Sequence, residues 1–264
     1  MFRMQELVVS EAQINQFIGQ YLWPLIRISA FYFAVPVIGA RTVPARIRIM
    51  LTLFTALLVV PLLPNAPVVS FFSLAGMLMV VKELLIGLAL GFVLQMVMHV
   101  FVLTGQLVAL KLGLGFAAQN DPSSGVSVTV LSQFYLLMST LLFLAINGHL
   151  AVINMIVNSF TTFPIGGPGL SLDDYMLIVH LFSWMFAAAL LISLPIFTSM
   201  MIVNLSFGVM GRSAPQLNIL NVGFPITLMF GFILMWYSLS NFLPLFNQII
   251  EEGMAAANTL VGSP

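Results

Sequence analysis

Between residues 71 and 110 the chain runs for about 40 residues with two charges inside it, Lys82 and Glu83. As a straight helix such a run is roughly 60 Å long at 1.5 Å per residue. That is about twice the thickness of a bilayer's hydrocarbon core, a mismatch that tilt cannot absorb. Either the run folds back as a helical hairpin, or the helix leaves the bilayer and is covered by protein. Further apolar blocks lie at 14–38, 49–63, 126–160, 175–210 and 219–246, and those at 126–160 and 175–210 are also overlong.

The chain is 61% hydrophobic and 6% charged over its 264 residues, whereas a soluble domain carries about a quarter charged residues. In lipid every backbone polar group needs an internal partner, which leaves helices or closed barrels. The blocks do not alternate with period two, so the fold class expected is an all-α, polytopic membrane protein forming one membrane-bound domain over residues 1–264, with about six spans. No soluble module and no internal repeat stand out. A formal net charge of zero gives no basis for a nucleic-acid partner, and the absence of cysteine removes disulfides, thiolate nucleophiles and thiolate metal sites. A cleaved signal peptide is not expected, because the first apolar run contains Pro24 and Arg27 and ends in no small-residue cleavage site.

With six spans and both termini outside the cytoplasm, Arg41, Arg46, Arg48, Lys111 and Arg212 fall inside, and Asp173, Asp174, Glu251 and Glu252 outside. This is the sign pattern of the positive-inside rule. Ser171 ahead of Asp173 and Asp174 marks a helix start, and Glu251 and Glu252 open a polar tail.

Intramembrane charges are costly and often functional. Lys82 and Glu83 point about 100° apart on a helix and do not face each other, so each needs a partner elsewhere. A structural pair with another helix or subunit is the preferred reading; a proton or ion relay would need further acids. Gly87, Gly91, Gln95 and His99 recur every four residues, a small-then-polar ridge suited to close helix packing and bonds across helices. His99, His149 and His180 show no metal-ligand spacing, and no phosphate loop or nucleophile elbow appears, so neither an enzyme nor a cofactor is expected.

The break at 113–125 sits between two very apolar blocks. Gly113, Gly115 and Gly125 allow unusual backbone angles, and Asp121, Pro122, Ser123 and Ser124 have turn chemistry. The stretch through Ala118 is apolar for a solvated loop. Irregular backbone beside membrane spans is tolerated where protein or a water-filled cavity surrounds it, so a pore-lining or pore-blocking loop competes here with an ordinary cytoplasmic one.

The stretch Gly113, Leu114, Gly115, Phe116, Ala117 through Gln119, Asn120, Asp121 and Pro122, then Asn147, Gly148, His149 and Leu150, then Phe163, Pro164, Ile165 and Gly166, resembles the FliR/SctT family of type III secretion export-gate subunits. A second hallmark, Arg212, Ser213, Ala214, Pro215, Gln216, Leu217, Asn218 and Ile219 followed by Gly223, Phe224 and Pro225, is similar in the same way. Order, spacing and length agree over nearly the whole chain, and the Asn147 and Pro215 stretches look more like the flagellar branch than the virulence-injectisome one. The resemblance implies a multi-pass subunit of the bacterial inner membrane at the flagellar basal body. It implies assembly with FliP and FliQ into a pore for unfolded flagellar proteins, FlhB and FlhA as further partners, and contact with lipid. It also implies FliP-like and FliQ-like parts in one chain, a gate raised out of the bilayer plane, and a plug at 113–125 that helps close the pore. Lys82 and Glu83 would then find partners across subunit contacts, and Pro195, Pro225 and Pro244 would bend helices. An SctT-type injectisome subunit and an autonomous solute transporter are the alternatives; the latter would need two related halves around a midplane site, and no such halves are visible.

Overall fold

The structure, a computed structural model, describes residues 11–36, 38–39, 43–63, 67, 69–114, 129–213 and 219–262. Among them the chain forms eight α-helices and no strand: α1 (Glu11–Ala34), α2 (Ala45–Val59), α3 (Leu74–Lys111), α4 (Val130–Ala145), α5 (Gly148–Thr162), α6 (Leu172–Ser213), α7 (Ile219–Leu239) and α8 (Phe242–Val261). This is an all-α polytopic membrane protein. Among the described residues three stretches, Ala45–Leu62, Leu74–Lys111 and Leu172–Ser213, are long and apolar enough to cross a membrane, and counting the two bent pairs α4–α5 and α7–α8 gives up to five.

The overlong blocks resolve in two ways. α3 is one unbroken helix of 38 residues and α6 one of 42 that runs through Pro195, so neither is a hairpin. α3 is an interior helix: 61% of its most apolar window is buried within the chain, against 28% for α6. Protein covers the stretch from about residue 93 to 109, whereas the N-terminal half keeps an exposed face at Leu74, Met77, Leu78, Val81 and Leu85. The fourth block instead breaks at Ile146 and Asn147, where Asn147 takes a left-handed φ of 60°. Gly148 follows because a Cβ there would lie 2.4 Å from the Phe143 ring. The last block breaks at Ser240 and Asn241 with a bend of 66°, three residues ahead of Pro244, which sits in the first turn of α8. Residues past Phe246 are helical to Val261, not a polar tail. Glu251 and Glu252 occupy the outer face, while Phe242, Phe246, Ile249, Ile250, Ala257 and Leu260 recur at helical spacing and are buried.

Two compact units make up the chain: residues 1–95, 149–178 and 256–264, and residues 96–148 and 179–255. In the first, Glu83, Gly87 and Gly91 of α3 meet Arg27, Ala30 and Ala34 of α1 in ascending order, so the two helices run parallel. Tyr32 of α1 and Thr55 of α2 share a hydroxyl hydrogen bond of 2.9 Å. Arg48 and Tyr175 border one cleft in this unit. In the second unit α8 lies on α3, with Phe242 and Phe246 against Phe101 at ring separations of 5.7 and 5.3 Å and Gly253 admitting Val97.

Ser171 starts α6 as expected. Its Oγ accepts from the Asp174 amide (3.3 Å), and Asp174 Oδ2 accepts from the Ser171 amide (2.6 Å), a reciprocal cap that satisfies two amide donors at a helix end.

Candidate functional site

The charges of the long apolar blocks meet in the first unit. Arg27, wholly buried in α1, donates from Nε to Glu83 Oε2 at 2.6 Å. Its Nη1 donates to the carbonyl of Ser159 at 2.9 Å, and its Nη2 to that of Phe163 at 2.7 Å. The guanidinium carbon lies 4.2 Å from the Phe160 ring centre. Ser159 and Phe163 are at the C-terminal end of α5, where carbonyls lack helical partners and a cation is favoured by the helix dipole. One side chain thus ties three helices together, and Glu83 neutralises it. Gly87, one turn beyond Glu83, makes this possible: a Cβ there would stand 2.3 Å from the Arg27 carbonyl oxygen.

Lys82, next to Glu83 but turned by the helix, donates Nζ to the Gly167 carbonyl at 3.1 Å. Adjacent opposite charges therefore hold the same segment, 159–169, one through Arg27 and one directly. Gly166 and Gly169 take φ of 84° and 87°, and Gly166 lets Pro67 approach to 2.9 Å of where a Cβ would sit. The Phe163, Pro164, Gly166 stretch is the turn that accepts these bonds. Sequence reasoning did not single out Arg27 and expected the partners of Lys82 and Glu83 across subunit contacts; both lie within the chain, and the only signals available were a cation in the first apolar block and an acid at Glu83 in need of one.

In the second unit both ends of the 115–128 segment are anchored. α3 ends in a Schellman-type cap: Gly113, at φ 79°, donates to Leu110 O at 3.2 Å, and Leu114 donates to Ala109 O at 3.0 Å. Leu112 and Leu131, one on each side of the segment, share a buried cluster with Val108, Ala109, Ile196 and Met200. Gly105 lets Ser132 close in, since a Cβ there would lie 2.6 Å from the Ser132 Cα. Thr129 Oγ1 caps α4 by accepting from the Ser132 amide at 3.3 Å. Replacing Thr129 with alanine is expected to cost about 1 kcal/mol and to speed amide exchange at Ser132 about fivefold; unchanged exchange there would show that the cap holds nothing.

Around the same anchor Lys111 Nζ sits 3.7 Å from the Phe197 ring centre, and Phe224 packs on Gly113. The two hallmark stretches, distant in sequence, therefore touch at Gly113 and Phe224. Gly115, Phe116, Gln119, Asn120, Asp121, Pro122, Ser123 and Gly125 lie outside the described residues, as do Pro215, Gln216 and Asn218. Arg212 is exposed at the end of α6, and Asn147 and His149 are exposed beside the α4–α5 break. Of the four-residue ridge, Gly87 and Gly91 are buried against α1, Gln95 is half-buried and His99 is exposed. Among the described residues no three of His, Asp and Glu lie together as a metal site.

Residues 18–253 match the family model described as bacterial export proteins, family 1. The flagellar biosynthetic protein FliR of Escherichia coli (strain K12) is 36% identical over 231 residues, which is 87% of this chain and 87% of that protein. The FliR of Bacillus subtilis (strain 168) is 30% identical over 218 residues, 81% of this chain and 84% of that one. The FliR of Aquifex aeolicus (strain VF5) is 28% identical over 225 residues, 85% and 87%.

Proposed function

This chain belongs to family 1 of the bacterial export proteins, with the flagellar FliR proteins, and we propose that it is a wall-forming subunit of the flagellar export gate. It is a membrane component of the flagellar export apparatus; the finer reading places it in the inner membrane, joined to FliP and FliQ around a pore for unfolded flagellar proteins, with FlhB and FlhA beside them. The likeness to FliR over 87% of the chain carries this reading.

The physical chemistry supports it. Large apolar side chains stand exposed along α2, α6 and α7, among them Leu58 at 72%, Leu205 at 70% and Trp236 at 79%. Patches of that extent are made to be covered by lipid or by other subunits. The buried charges serve to hold helices, a structural use rather than a catalytic one. The 113–125 loop acts as the plug. The residues that flank it, Leu112 and Leu131, share one packed cluster.

Two experiments test the reading. Affinity purification of the tagged chain in a mild detergent recovers FliP and FliQ with it; a lone monomer that takes up solute would overturn the assignment. Deleting residues 115–123 leaves FliP and FliQ recovery unchanged and raises ion conductance of reconstituted vesicles about tenfold or more. Tight vesicles together with normal export would remove the sealing role and leave the gate assignment standing on co-purification.

A further inference from the structure

Beside the loop anchor, the second unit holds a pocket of about 340 Å3. Its floor is buried: Tyr135 of α4 is 2% exposed and Phe242 of α8 6%. Leu191 of α6 and Tyr237 of α7 stand largely exposed at its mouth. Two polar groups of the lining are short of a partner. The Tyr135 ring packs on Phe134 and Phe242, yet its hydroxyl hydrogen-bonds to no group among the described residues. That oxygen is not sealed in protein, and the space beside the ring is this pocket. Pro195 has no N–H, so the Leu191 carbonyl four residues back receives no bond from it, and both residues line the pocket. Ser199, also in the lining, already uses its hydroxyl on the Pro195 carbonyl at 2.8 Å. A buried hydroxyl left unpaired costs about 1–3 kcal/mol, so the pocket favours an occupant that bonds to it. No lining residue carries a charge, and a charged occupant would be stranded there. The aromatic walls suit a ring, and the volume lies within the roughly 300–1,000 Å3 of ordinary ligand sites.

We propose that this pocket binds a small uncharged amphiphile of the alkylphenol class, its ring beside Tyr135 and Phe242. The ligand's hydroxyl accepts from the Tyr135 hydroxyl and donates to the Leu191 carbonyl, two bonds that a single hydroxyl can make. Its alkyl chain leaves through the mouth between Leu191 and Tyr237, where the apolar surface of a membrane protein meets hydrocarbon. The site does not rest on the gate reading and would exist whether or not the loop at 113–125 is a plug.

The test is photolabelling of the full chain, purified with the subunits that accompany it, by a diazirine-bearing alkylphenol, with adducts mapped by peptide mass spectrometry. Saturable labelling at the lining of the pocket is expected. Hexylphenol should protect about fivefold to tenfold better than hexylbenzene, which lacks the hydroxyl. Tyr135→Phe keeps the ring contacts, removes only the oxygen and should erase most of that preference. Leu234→Trp, in the lining, fills the pocket and abolishes labelling, while Leu205→Trp, outside it, leaves labelling unchanged. Thermal midpoints confirm that each variant is folded, and Ser238→Leu, also in the lining, replaces Leu234→Trp if that variant is not. Labelling that does not saturate, equal protection by hexylbenzene, or an unchanged preference in Tyr135→Phe would overturn the site and leave the Tyr135 hydroxyl to water. Labelling of the isolated chain that is lost in the complex would overturn it as well and give the pocket to a partner subunit.

Discussion

Replacing Arg27 with methionine is expected to lower the stability of the folded chain by about 3–5 kcal/mol, the cost of stranding one member of a buried ion pair. Glu83 would be left as an uncompensated buried carboxylate, and the Phe163 carbonyl would lose its 2.7 Å donor. The Ser159 carbonyl fares better, because the Phe163 amide also donates to it at 2.9 Å. Glu83→Leu alone should be comparably severe, since it strands the guanidinium instead. The double variant Arg27→Met with Glu83→Leu should recover most of the loss, as buried pairs often tolerate joint replacement by apolar groups. It should fall short by about 1 kcal/mol, the cost of an unmet carbonyl at the end of α5. Thermal midpoints of the detergent-solubilised protein, with its steady-state amount in membranes, measure this. A double variant worse than either single one would show that the charges do more than neutralise each other.

How much of this was legible in the sequence differs by feature. That Lys82 and Glu83 do not pair with each other follows from helix geometry alone, and the need for outside partners follows from the cost of a bare charge. The partners did not follow: Gly167 is met through a backbone carbonyl, which no side-chain pattern announces. Arg27 stands 56 positions before Glu83, a distance that only the packing of α1 on α3 closes. The Gly87 and Gly91 spacing pointed to close helix contact without naming the helix. Glu251 and Glu252 misled, because two adjacent acids hide the buried stripe that continues on the other side of α8 through Ile249, Ile250 and Ala257. Block lengths were informative in the opposite sense. A 38-residue apolar helix cannot be a simple span, and burial of its stretch from about residue 93 to 109 inside the chain explains why it need not be.

The same packing fixes the largest effect expected from adding atoms rather than removing them. Gly87→Ala places a methyl where the Arg27 carbonyl oxygen would lie 2.3 Å away and the Ala30 Cβ 2.9 Å away. The nearest obstacle is backbone, so no rotamer change relieves it and α1 must move off α3. Overpacking of this kind costs about 1–3 kcal/mol, and here the shift also pulls Arg27 from Glu83, whose Nε to Oε2 distance of 2.6 Å leaves no slack. The alanine variant should therefore lose about 3 kcal/mol or more, despite alanine's better helix propensity. The two sites share a contact, so their effects should not add. In the background of Arg27→Met with Glu83→Leu, Gly87→Ala should cost only its steric part, at least 1 kcal/mol less than in the native chain. A double-mutant cycle on thermal midpoints reads the difference. Strict additivity would mean that the glycine and the ion pair hold α1 independently, and that the close approach at Gly87 is not what brings Arg27 within reach of Glu83.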